Sequence, residues 1–117
     1  MNRTRGLFWA AACTVAFAGT ALAHHGWTGY TEELQKLSGT IEQSSYANPH
    51  GSLQLKTADK TWEVVLAPPS RMTNRGLTEA MLKVGTTATV EGYRSKSDEK
   101  ELRAERISVA GKTVELR

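Results

Sequence analysis

Three histidines, His24, His25 and His50, carry most of the metal-ligating capacity of this 117-residue chain. The first two directly follow Ala21-Leu22-Ala23, which offers small residues at the two positions a signal peptidase reads. Cleavage after Ala23 frees an α-amine on His24. That amine and the His24 imidazole can close a chelate ring on one cation. His25 adds a further imidazole nitrogen, and its peptide nitrogen can be recruited by Cu(II). Nitrogen donors in a roughly planar set suit copper(II) first and nickel or zinc next. His50 follows Pro49 in a turn, from which it can approach the same ion from the side of the folded domain. The expected ligand set is therefore His24, His25 and His50, with copper as the expected ion.

The same residues allow a plainer interpretation. A His-His start can be a hydrophilic beginning that suits cleavage, and His50 can be a turn residue satisfied by backbone. Met72 and Met81 offer thioethers for Cu(I), but their place between strands marks them as core plugs. Trp62 is expected in the core, and Trp27 as a hydrophobic latch that docks the N-terminal lead-in. Signals of catalysis are poor. Ser44-Ser45 and Ser52 lack the context of an activated nucleophile, and Glu32-Glu33 and Asp98-Glu99 look like solvated charge. An oxidative copper enzyme would need a larger substrate face than this length supplies. No enzyme is expected.

The segment before the histidines sets the compartment. Arg3 and Arg5 form a positive start, and Leu7 to Ala18 an apolar run too short for a membrane span. Residues 1–23 read as a cleavable signal peptide, which places the mature chain in the periplasm. Cys13 goes with the removed segment. The remaining 94 residues carry 13 Lys and Arg against 12 Asp and Glu. Such a balance gives no electrostatic case for nucleic acid or an acidic membrane surface. No cysteine remains, so thiol redox chemistry, thiolate metal sites and disulfides are excluded. Stability must then come from packing and a closed sheet.

The elements that must position these residues follow from alternation and turns. Residues 24–36 form a polar lead-in, and residues 37–117 a single domain. Strands are expected over Leu37 to Tyr46, Ser52 to Thr57, Thr61 to Leu66, Thr86 to Arg94, Leu102 to Val109 and Thr113 to Leu116. Asn48-Pro49-His50-Gly51 is a turn, and Pro68-Pro69 ends the third strand. Pro69 to Arg75 can form a short helix with Gly76 as a left-handed cap, and Thr78 can cap a further turn. A slip of parity between Ala104 and Ile107 suggests a β-bulge. Three strands, a short helix, then two or three strands is the order of an OB-fold. The expected class is mainly β: a small OB-like antiparallel β-barrel of five to six strands, with the helix between the third and fourth.

The start His24-His25-Gly26-Trp27, the Tyr46-Ala47-Asn48-Pro49-His50 turn and the Leu82-Lys83-Val84-Gly85 run resemble a family of small exported bacterial proteins of unknown function. Trp62 and the Gly-x-x-x-x-Val-x-Gly element from Gly85 to Gly92 add to the likeness. The resemblance implies a periplasmic OB-like domain and implies little chemistry. Two readings of function stand side by side: a periplasmic metal-binding protein, or a metal-free OB module that binds a protein partner or small ligand. Mass spectrometry of the exported protein should show a chain that begins at His24. A terminus at Cys13, or an uncut chain held in the membrane, would remove the amine from the ligand set.

Overall fold

A computed structural model describes residues 27–117. The signal segment, His24 and His25 lie outside the described residues. Six strands follow one another: β1 (Tyr30–Ser45), β2 (Ser52–Lys56), β3 (Thr61–Val65), β4 (Thr87–Ser95), β5 (Glu101–Val109) and β6 (Lys112–Glu115). Helix α1 (Pro69–Asn74) and a 3-10 turn at Glu79–Leu82 stand between β3 and β4. The strands lie in the order β3-β2-β1-β4-β5-β6, and β3 pairs in parallel with β5. That parallel pairing closes five strands into a ring, with β6 appended to β5. Mainly β, OB-like connectivity with one helix between the third and fourth strands is the architecture expected above.

Alternation explains which side chains fill the ring. Leu53 and Leu55 are buried on β2 across from Val64 and Trp62 on β3, while Glu63 between them is exposed. Ala88 and Val90 on β4 face inward beside Ile107 and Val109 on β5. The bulge suggested by the sequence is present: the β4–β5 register shifts between Glu91 and Gly92. Glu105 is the extra residue, so both Glu105 and Arg106 turn outward before Ile107 restores the parity. A Cβ at Gly92 would overlap the Arg103 carbonyl there, so the bulge requires glycine.

β1 serves two neighbours. Its first part pairs with β4, from Tyr30 to Thr40, and its last part with β2, from Thr40 to Ser45. Gly39 sits at the change of partner, where a Cβ would overlap the Lys56 carbonyl. The strand begins at Tyr30, seven residues earlier than the alternation indicated. Glu32, Glu33 and Lys36 are exposed, so this part of β1 has a largely wet face and looks like a polar lead-in on sequence alone. β6 begins and ends one residue before its expected bounds.

Helix α1 is held by its ends. Gly76 takes a positive φ of 85°, the Gly76 N–H donates to Thr73 O at 3.0 Å, and the Leu77 N–H donates to Met72 O at 2.8 Å. This is the Schellman arrangement, with Met72 and Leu77 both fully buried beneath it. Met72 is thus a core plug, and Met81 is half-buried against the same cluster. Arg71 donates to Leu116 O at 3.0 Å, and Arg75 to Glu115 O at 2.7 Å and Arg117 O at 3.0 Å. These guanidinium groups satisfy carbonyls at the end of β6, where a bare edge would otherwise be open to another strand.

Trp62 is 4% exposed within the core, and Lys60 Nζ lies 4.1 Å from its ring centroid while donating to Glu99 O at 2.8 Å. Removing this ring leaves a cavity the closed ring of strands cannot easily collapse. Trp62→Ala should cost ~3–5 kcal/mol in denaturant-unfolding measurements. A loss of only a few tenths would mean that Trp62 does not fill the core.

Candidate functional site

Two groups of residues stand on the outside of the ring, and the first is the turn after β1. Tyr46 ties its start to α1: the phenol donates to Leu77 O at 2.6 Å and lies 2.9 Å from Thr73 Oγ1. Gly51 ties its end, since its N–H donates to Ala67 O and its carbonyl accepts from Leu66, both at 2.9 Å. Met72 Cε packs 2.7 Å from where a Gly51 Cβ would stand, so a side chain there would push the turn off the helix. Between these fixed ends, Ala47, Asn48, Pro49 and His50 are exposed, with a cis Asn48–Pro49 bond.

His50 has a defined orientation within that exposed tip. Its Nδ1 lies 3.1 Å from the Gly51 carbonyl oxygen. A carbonyl can only accept, so the contact assigns a hydrogen to Nδ1 and leaves Nε2 as the nitrogen that would carry a lone pair in a neutral ring. Metal-ligating histidines are commonly fixed in this way, with one ring N–H on a backbone carbonyl and the other nitrogen presented. His50 thus stands in an exposed turn with its ring against backbone.

The second group surrounds Trp27, the third residue after His24. Arg103 Cζ lies 4.2 Å from the Trp27 ring centroid and Arg117 Cζ 4.9 Å from it. Tyr93 meets the indole edge-on at 5.8 Å, and Tyr30 is tilted against it at 6.2 Å. Stacking of guanidinium on indole is favourable, more so where water is partly excluded. The backbone also contributes: the Tyr30 N–H donates to Trp27 O at 3.1 Å, and the Lys96 N–H to Gly29 O at 2.8 Å. Trp27 is the latch expected from the sequence. Its partners Tyr93 and Arg103, at outward positions on β4 and β5, and Arg117, beyond β6, were not expected, because such positions carry no local signal of what will cover them.

Carboxylates brace this cluster from below. The Tyr30 phenol donates to Glu101 at 2.8 Å and the Tyr93 phenol to Glu105 at 3.1 Å. Glu105 also faces Arg117 at 3.6 Å. Burial, then the hydrogen bond and charge of Glu101, push the Tyr30 phenol from 10.0 up to about 12. Tyr93 is raised for the same reasons, burial first and Glu105 second.

The two groups are brought near one another by the closure of the ring. Ser52 pairs with Val65, Val65 with Arg103, and Arg103 with Tyr93. Arg103, beneath Trp27, is therefore two strand spacings, about 10 Å, from Ser52. Ser52 is two residues after His50. Among the described residues, no three His, Cys, Asp or Glu side chains stand together as a ligand set.

A family of unknown function, DUF6152, matches residues 12–103. The chain belongs to this family. No curated protein matches it. Among solved structures, a crystal structure of TiaS in complex with tRNA and ATP is similar, with a TM-score of 0.51 and 18% identity. The likeness covers 73% of this chain and 19% of that one, and at such identity it is one of fold alone.

The Tyr30–Glu101 pair yields a measurable consequence. The folded state holds the Tyr30 proton more tightly than the unfolded chain, so its stabilisation is intact below pH ~10 and is lost as pH rises towards 12. Ultraviolet titration should show one phenol ionising near pH 12, absent in Tyr30→Phe and shifted down in Glu101→Gln. Ionisation of every tyrosine near pH 10 would contradict the buried pair.

Proposed function

We propose that the processed chain is a periplasmic, non-enzymatic copper-binding protein, with His24, His25 and His50 as its ligands. The observation that supports this most is the anchoring of Trp27 on Arg103, two strand spacings from the start of β2. The three residues before Trp27 span at most ~10 Å when extended, and an imidazole adds to that reach. The docking of Trp27 supports this reading, because a terminus of that length would have the His50 turn within reach. A free tail would lose more conformational entropy on closing such a site.

Each ligand has a separate task. The His24 amine and imidazole start the chelate, His25 supplies a further nitrogen, and His50 adds Nε2 from the folded domain. Cu(II) accepts this nitrogen set readily, with nickel and zinc behind it. Thioether sulfur plays no part: Met72 is fully buried, and Met81 Sδ accepts the Thr78 N–H at 3.5 Å. The Arg103 and Arg117 charges stack on Trp27, and Arg117 also faces Glu105.

Copper titration of protein that begins at His24 should give one saturable site with quenching of tryptophan fluorescence. Extending the N-terminus by one residue should weaken Cu(II) binding at least about tenfold, although no side chain is lost. His50→Ala should weaken it as well. Affinity should fall as pH drops through ~6.5, where imidazoles take up protons. Equal affinity of the mature and extended chains would overturn the amine chelate and leave the metal-free module as the better description.

A further inference from the structure

The outer face of β1, β4, β5 and β6 carries a second feature that the copper site does not use. Ser38 pairs with Thr89, Thr89 with Ser108, and Ser108 with Thr113, so four hydroxyl residues form one row across four strands. The inward neighbours Val90, Ile107 and Val114 are buried, which puts the row on the outside. Ser38 and Thr89 are hydrogen-bonded at 2.8 Å, as are Ser108 and Thr113. Each such pair uses one of its two hydroxyl hydrogens and leaves the other, with several lone pairs, for a ligand.

The next row towards Trp27 is Lys36, Glu91, Arg106 and Glu115, which alternates in sign. Arg106 lies 2.9 Å from both Glu91 and Glu115, and those bonds raise its pKa further, so it is a fixed, charged wall. Both rows, Glu115 excepted, line a groove of about 390 Å³. That volume lies within the ~300–1,000 Å³ range of small-ligand sites.

We propose that this groove binds a neutral glycan chain. The charged row holds two cations and two anions, Lys36 and Arg106 with Glu91 and Glu115, so it offers little net field to a phosphate polymer or a polycation. What the row offers instead is four hydroxyls on successive strands in two bonded pairs, so the pairs repeat at two strand spacings, ~10 Å, about the length of two pyranose rings in an extended glycan. Hydroxyls on every second sugar can each meet a hydroxyl pair that is itself half satisfied. The aromatic cluster of Tyr93 and Trp27 stands at one end of the same face, beyond the charged row. The site is independent of copper and does not require His24 or His25.

The probes are cellohexaose and chitohexaose, each titrated into isotope-labelled protein beginning at His24, without metal. At least one should give saturable amide shifts centred on Ser38, Thr89, Ser108 and Thr113. The double variant Thr89→Val, Ser108→Ala should weaken binding about tenfold or more, because it deletes one hydroxyl from each pair. Unchanged near-ultraviolet circular dichroism from Trp62 would show that the variant keeps its fold, and Ser38→Ala, at an exposed position, gives a milder check. Binding should depend little on salt, since a neutral sugar forms no ion pair with the groove. No saturable shift with either sugar, shifts centred elsewhere, or an unaffected double variant would overturn the proposal, as would affinity that falls steeply with salt.

Discussion

The parallel pairing of β3 with β5 is the contact on which the rest of this molecule depends. It joins only Glu63, Val64 and Val65 to Glu101, Leu102 and Arg103, with a hydrogen bond from the Glu63 N–H to Lys100 O at 2.7 Å. Without it the sheet would be open along β3, and Trp62 and Val64 would lose one wall of their pocket. The pairing puts two glutamates side by side, which alone would be unfavourable. Gln54 donates to Glu63 at 3.2 Å and Tyr30 donates to Glu101 at 2.8 Å, so each carboxylate has a donor of its own. The same Tyr30 bond fixes the start of β1, so closing the ring and anchoring the lead-in share one set of residues.

A small domain without disulfides must make its ends secure by other means. The helix end is secured by the Schellman cap at Gly76 and by Arg71 and Arg75 on the last carbonyls of the chain. The opposite surface is secured by Trp27 between two guanidinium groups. Arg117 belongs to both, because its carbonyl accepts from Arg75 while its side chain lies over Trp27. The chain terminus thus connects α1 to the N-terminal anchor. These contacts hold the exposed tip at His50 and the Trp27 anchor on a common frame, which is what a site built from both would require.

Much of this frame is legible in the sequence because it rests on local patterns. Leu53-Gln54-Leu55 and Trp62-Glu63-Val64 alternate cleanly, Pro69 and Gly76 bracket a helix, and the parity slip before Ile107 marks the bulge. The start of β1 is not legible, since Glu32, Glu33 and Lys36 face water and leave no apolar alternation to read. Nor could pattern reveal the partners of Trp27. Arg103 and Tyr93 are outward residues of ordinary strands, and only the ring closure brings them under the indole. His50 was identifiable as a turn residue, whereas its Nδ1 bond to Gly51 depends on how Tyr46 and Met72 seat that turn. His24 and His25 rest on sequence chemistry, being outside the described residues.

The central claim is that ring closure brings the anchored N-terminus and the His50 turn onto one metal. Paramagnetic broadening by one equivalent of Cu(II), mapped on the amide signals of protein beginning at His24, tests this most directly. The account expects the signals of Trp27, His50, Gly51 and Ser52 to broaden together, while Lys83 and Lys112 stay sharp. Broadening confined to the residues around Trp27, with Gly51 and Ser52 unaffected, would contradict it.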